Sequence, residues 1–309
     1  MPKMRHRIPV RRKGDARVTP SDTSPIWRGM TDAERAIAYS PSSVLDGPLD
    51  PYIAAYREES QVAYDACPDV VTRACGPKPA NSLDIVVPPG AEPVPLHLFI
   101  HGGYWQELSK RESFFLAPDT VNRGTAFAAL DYTLAPHATL DEIVAECTAA
   151  LRYVRSHAPE LNIDPGRIIV SGSSAGAHLA AMATLQLPPE LRPAGLILLS
   201  GIYDLEPLLS TYINDAVRMD ATCARLNSPA FHDLSNFPHC VLAWGDNETD
   251  EFKRQSLHMA ELLRKAGRPV DTLEVPGRNH FDVVFDLKPD ARLGGFVRKL
   301  AQNGAPAGR

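Results

Sequence analysis

The chain has 309 residues, 44% hydrophobic and 22% charged, which suits one large α/β domain and excludes a disordered or fibrous chain. A formal net charge of −5 makes no case for nucleic acid, and no apolar run is long enough to span a bilayer, so no membrane partner is expected. Five dispersed cysteines (67, 75, 147, 223 and 240) without a C-x-x-C pair, and a start without the apolar core of a secretory signal, point to a cytoplasmic protein with reduced thiols.

Residues 1–25 carry Lys3, Arg5, Arg7, Arg11, Arg12, Lys13 and Arg17 and read as a basic, solvated tail. From Trp27 to about residue 70, Trp27, Met30, Ile37, Tyr39, Tyr52, Ile53, Tyr56 and Tyr64 lie in a helical-looking segment, expected to form a partial cap. Residues 26–309 are expected to make a single domain. Strands are predicted over Val70–Ala74, Ser82–Val87, Pro95–Ile100 and Thr125–Leu130, and a helix over Asp141–His157, whose apolar residues fall on one face. Asp164-Pro-Gly-Arg167 reads as a turn into the next strand. Gly195–Ser200 is another strand, 203–237 an irregular segment belonging in part to a lid, and Cys240–Trp244 a strand. A helix over about Glu251–Lys265, a strand over Asp271–Val275 and a helix over Leu293–Leu300 complete the chain. Alternation from about residue 95 onward predicts a doubly wound, mostly parallel α/β sheet with helices on both faces.

The chemistry gathers at Arg167-Ile-Ile-Val-Ser-Gly-Ser-Ser-Ala-Gly-Ala-His178. A β-branched run enters a G-x-S-x-G turn centred on Ser174, and an Ala- and Leu-rich helix leaves it. Such an elbow pushes a serine hydroxyl clear of the backbone and sets a helix N-terminus beneath it. Upstream, His101-Gly102-Gly103 follows a strand, where glycines let backbone N–H groups approach an oxyanion. Gly102, Gly103 and Ala175 are the expected donors. The base is expected in His280, five residues past Val275, as the order Ser, acid, His requires. His178 is expected in the core beside the elbow, and His101 as a hydrogen-bonder fixing the glycine loop. The acid lies in Gly245-Asp-Asn-Glu-Thr-Asp-Glu251, where Asp246, Glu248 and Asp250 are chemically equivalent candidates. No cluster has metal-ligand spacing, and no cofactor is expected.

His101-Gly-Gly-Tyr-Trp105 with Gln106 and Ser109, Tyr39-Ser-Pro-Ser42, the elbow and its helix, Ser200–Pro207, Asn227-Ser-Pro229, Glu251-Phe252 with Arg254-Gln-Ser256, and Asn279-His-Phe281 together resemble the kynurenine formamidases (arylformamidases). These are α/β-hydrolases near the hormone-sensitive-lipase group. The resemblance covers about residues 27–300. It implies an α/β-hydrolase fold, and it puts the acid at Glu248, with Asp246 the alternative because many family members carry Asp at the Glu248 position. It implies hydrolysis of N-formyl-kynurenine to kynurenine and formate, with Tyr104 and Phe281 flanking the aryl ring, aided by Trp27 or Tyr203. Trp105 is expected to pack its loop. A small-molecule substrate is the expected partner, and a homodimer remains an option. A carboxylesterase with the same machinery is the alternative function. A non-catalytic binding protein of this fold is the remote one, disfavoured because nucleophile, base and oxyanion glycines are all present.

Overall fold

The computed structural model describes residues 26–90 and 92–303. The expected basic tail over 1–25 lies outside the described residues. Eight strands form one sheet: β1 (Val71–Ala74), β2 (Ser82–Val86), β3 (Val94–Ile100), β4 (Ala126–Leu130), β5 (Ile163–Ser173), β6 (Gly195–Leu199), β7 (His239–Asn247) and β8 (Val270–Asn279). Their order is β1-β2-β4-β3-β5-β6-β7-β8. The pairings from β4 through β8 are parallel, and β2 meets both β1 and β4 antiparallel. The helices are α1 (Asp32–Ala38), α2 (Asp50–Ala66), α3 (Ala117–Val121), α4 (Leu140–Ser156), α5 (Ala175–Gln186), α6 (Asn214–Val217), α7 (Ala221–Leu226), α8 (Asp250–Lys265) and α9 (Arg292–Asn303). None of the described helices is long and apolar enough to cross a membrane.

The central strands are apolar on both faces because both faces are covered. Leu96, Leu98, Val170, Leu196, Leu198 and Leu242 pack with α4, α5 and α8. The alternate residues Phe99, Phe127, Ile169, Ile197 and Val241 pack with α2, α3 and α9. Side chains alternate across a strand, so one apolar run feeds two cores. Helix α5 is buried from Ala175 to Thr184, and it is apolar all round because it is enclosed all round. Thr31 with Glu34 and Thr139 with Glu142 form reciprocal capping boxes that start α1 and α4.

The sequence-predicted strands and helices recur with ends shifted by a residue or so, apart from α9, which runs three residues past its predicted end, and three further segments. Asp164–Arg167 does turn, its Asp164 carboxylate accepting from the Gly166 N–H at 2.8 Å, but as a bulge inside β5, between the pairs Val94↔Ile163 and Leu96↔Ile168. Strand β7 continues to Asn247 and β8 to Asn279, well past their predicted ends, because the two go on pairing after a register shift, through Gly245↔Val275 to Asn247↔Asn279. The 203–237 segment, expected to be irregular, holds the short helices α6 and α7, mixes buried and exposed residues, and only Tyr212 and Ile213 of it line the main cavity.

Candidate active site

Strand β3 lies between β4 and β5, so the connections after β3 and β4 run to opposite sides. The crevice beyond the carboxyl ends of such strands is where ligands bind in open α/β sheets. A cavity of about 240 Å³ occupies it, bordered by His101–Tyr104, Ser173, Ser174, His280 and Phe281.

Ser174 follows β5 with φ 56° and ψ −119°, a backbone state a serine rarely adopts. Its N–H is tied to the Leu199 carbonyl at 2.8 Å. The turn is this tight because α5 starts almost against β3: a Cβ on Gly176 would fall 2.1 Å from the Ile100 carbonyl oxygen and 2.5 Å from that of His101. Gly176 is therefore required by close approach.

The glycine loop is built from its carbonyls outward. The Tyr132 hydroxyl donates toward the carbonyls of His101 (3.1 Å) and Gly102 (3.2 Å), and the His101 imidazole stacks on the Tyr132 ring with centroids 4.2 Å apart. In a trans peptide the N–H points opposite to the C=O, so these bonds turn the Gly102 and Gly103 N–H groups away from Tyr132. Both glycines border the cavity. Gly103 sits at φ +95°, and a Cβ there would strike the Glu107 carbonyl. Tyr104 and Trp105 continue in the left-handed region at φ 49° and 62°, at a cost of roughly 1–2 kcal/mol each. Trp105 offsets this by full burial, and its indole N–H donates to His178 Nδ1 at 3.2 Å. His178 Nδ1 must then be the bare nitrogen, and Nε2–H donates to the Asn227 carbonyl at 2.6 Å. Burial pushes His178 down to about 4, a neutral core imidazole, as expected from sequence.

His280 and Glu248 meet because β7 and β8 stay paired to Asn247↔Asn279, so the next residue of each strand lies beside the other. His280 Nδ1 is 3.0 Å from Glu248 Oε2. A carboxylate only accepts, so Nδ1 carries the proton and Nε2 is left as the basic nitrogen. Glu248 Oε1 accepts from the Ser200 hydroxyl and the Gly245 N–H, both at 2.6 Å, and the Glu248 side chain is fully buried. The Phe252 ring packs against His280 with centroids 4.4 Å apart. Asp246, the alternative acid, instead accepts from the Gly277 N–H at 2.9 Å at the surface, and Asp250 opens α8.

Tyr104 and Phe281 both line the cavity, whereas Trp27 and Tyr203 do not; Tyr203 is fully buried. The aromatic wall comes instead from Tyr56, Phe99, Phe115 and Tyr212, which sequence reasoning did not single out as substrate contacts. The Ile53 and Tyr56 spacing on α2 was the available signal, since residues three apart share a helix face. The Tyr56 hydroxyl donates to the Phe281 carbonyl, and its ring stacks on Phe115. Pro41, Ser42 and Leu49 extend the wall from the N-terminal side.

The family model described as BD-FAE matches residues 83–191. The kynurenine formamidase of Danio rerio is 31% identical over 279 residues, covering 84% of this chain and 93% of that protein. Carboxylesterase NlhH of Mycobacterium tuberculosis is 29% identical over 79% of this chain and 81% of its own length. The crystal structure of a candidate thioesterase from Silicibacter sp. tm1040 superposes with a TM-score of 0.73 at 26% identity, covering 84% of this chain and 97% of that one. The open, mostly parallel sheet agrees with that superposition, and the chain belongs to the kynurenine formamidase family of α/β-hydrolases.

Proposed function

We propose that the protein is a serine hydrolase cleaving N-formyl-kynurenine to kynurenine and formate, with Ser174 as nucleophile, His280 as base and Glu248 as the acid that orients it. The observation that carries the reading is the likeness to a kynurenine formamidase along nearly the whole chain. The Glu248–His280 contact at 3.0 Å supports the assignment of roles.

The Ser174 hydroxyl attacks the formyl carbon as His280 Nε2 takes its proton. The N–H groups of Gly102, Gly103 and Ala175 hold the resulting oxyanion. His280 then protonates the aniline nitrogen as the C–N bond breaks, and kynurenine leaves. Water, activated by the same imidazole, hydrolyses the formyl-Ser174 ester to formate. Five free cysteines support the cytoplasm as the place of action. A second reading, carboxylester hydrolysis, is favoured by the likeness to carboxylesterase NlhH, since the same machinery serves an ester.

Incubating the purified protein with N-formyl-kynurenine should release kynurenine and formate in equal amounts. Ser174→Ala should retain the far-ultraviolet spectrum of the folded protein and lose on the order of 10⁶ in kcat. A folded Ser174→Ala protein with near-normal turnover would refute the mechanism.

A further inference from the structure

We propose that Glu112 accepts an ammonium group on the leaving-group side of the substrate, so that the cavity selects aryl substrates carrying a cation. The proposal rests on the hydrolase reading above in taking Ser174 as the reacting centre, but not on the acyl group being formyl.

The described residues lining the cavity include two glutamates, Glu107 and Glu112, and no lysine or arginine. Glu107 is exposed, whereas the Glu112 side chain is only 17% exposed. Its Oε2 accepts from the Ser109 hydroxyl at 2.7 Å, which fixes the carboxylate at the end of the short helical turn Lys110–Glu112. The Oε1 atom has one long contact, to Arg57 Nε at 3.5 Å, and that arginine is 66% exposed. A pair with one partner in solvent is weak and yields readily to a better-placed cation.

The neighbouring cations are committed elsewhere. The Lys110 ammonium is buried on Asp84 (2.9 Å) and Ser82 (2.8 Å), and the Arg111 guanidinium lies over the Tyr64 ring. A carboxylate held against apolar walls without a full set of donors favours a cationic ligand. The Tyr56 and Phe115 rings also line the cavity, and aromatic faces attract ammonium. The α-ammonium of N-formyl-kynurenine is such a group.

The test measures kcat/KM on two substrate pairs that differ only in the ammonium. One is N-formyl-kynurenine against its des-amino analogue, and the other is the acetate ester of tyramine against that of para-ethylphenol. Wild-type protein should prefer the ammonium-bearing member of each pair by about tenfold or more, the size of one hydrogen bond to a charged group. Glu112→Gln should bring both ratios close to one through KM, and Glu112→Asp should keep part of the preference. Binding of kynurenine against its des-amino analogue to Ser174→Ala protein gives the same comparison without turnover. Wild-type ratios near one, or an undiminished preference in folded Glu112→Gln, would overturn the proposal. Turnover of the ester pair alone would count against the formamidase reading while leaving the role of Glu112 measurable.

Discussion

At the scale of single residues, Glu248 shows how a side chain is assigned by its surroundings. Three carboxylates follow Gly245 within five positions, and sequence chemistry ranks them equally. In the fold, Glu248 alone of the three meets His280 Nδ1, and two donors at 2.6 Å hold its other oxygen. Ser200 supplies one of them from a left-handed backbone at φ 49°, the kind of local strain that persists where its surroundings over-determine it. Glu248→Gln should therefore lower kcat by about 10²–10⁴-fold, because an amide in place of the carboxylate favours the wrong imidazole tautomer and removes the charge that steadies the imidazolium. Asp246→Asn, which touches only a surface N–H, should cost far less. Steady-state kinetics on the two variants decides the matter, and the reverse ranking would move the acid to Asp246.

At the scale of elements, β3, β5 and α5 form a tight junction. The Ile100↔Gly172 pair sets His101–Gly102 beside Ser173–Ser174, so the proposed oxyanion loop and the proposed nucleophile share one register. Gly176→Ala would drive a Cβ into the Ile100 and His101 carbonyls, and backbone cannot rotate aside as a side chain would. The expected cost is about 1–3 kcal/mol of stability, with loss of activity as the elbow shifts. Gly47, around which a Cβ would meet nothing within 4 Å, is the control, and its alanine variant should stay within about 0.5 kcal/mol of wild type. Urea midpoints measure both, and a Gly176→Ala midpoint equal to that of wild type would contradict the packing described. This junction was legible in sequence, because apolar β-branched runs and flanking glycines are local signals. The ends of β7 and β8 were not. Gly245–Asn247 and Pro276–Asn279 carry turn residues and read as loops, yet pairing with a distant strand keeps them extended. The same non-locality hid most of the pocket wall: the helix face shared by Ile53 and Tyr56 was a local signal, but nothing in sequence says that the Tyr56 and Phe115 rings stack beside Ser174's cavity.

At the scale of the whole molecule, the cavity lies between the sheet's carboxyl edge and the N-terminal segment folded over it. That segment is pinned by Tyr39, fully buried, whose hydroxyl donates to Glu251 at 2.5 Å. Burial and the Glu251 carboxylate hold the phenol well above its ordinary range, so it remains a donor. The Tyr104 hydroxyl closes on the Tyr39 carbonyl at 2.5 Å, and Thr249 Oγ1 on the Ala38 carbonyl at 2.6 Å. These bonds fasten the Ala38–Tyr39 segment to the loop after β3 and to the start of α8, the Tyr56 hydroxyl fastens α2 to the Phe281 carbonyl after β8, and aromatic rings line the cavity that holds Ser174. A formyl carbon bears only hydrogen, so a narrow acyl side suits it, while an aniline leaving group suits the aromatic side. Each further methylene on the acyl group should cost about 1–3 kcal/mol in the transition state, which makes the preference graded. The most direct measurement is kcat/KM for N-formyl, N-acetyl and N-butyryl anilides, with N-formyl-kynurenine and phenyl butyrate assayed beside them. Turnover should fall along the anilide series with N-formyl-kynurenine turned over best, and faster turnover of the butyryl ester than of N-formyl-kynurenine at equal concentration would overturn the formamidase reading.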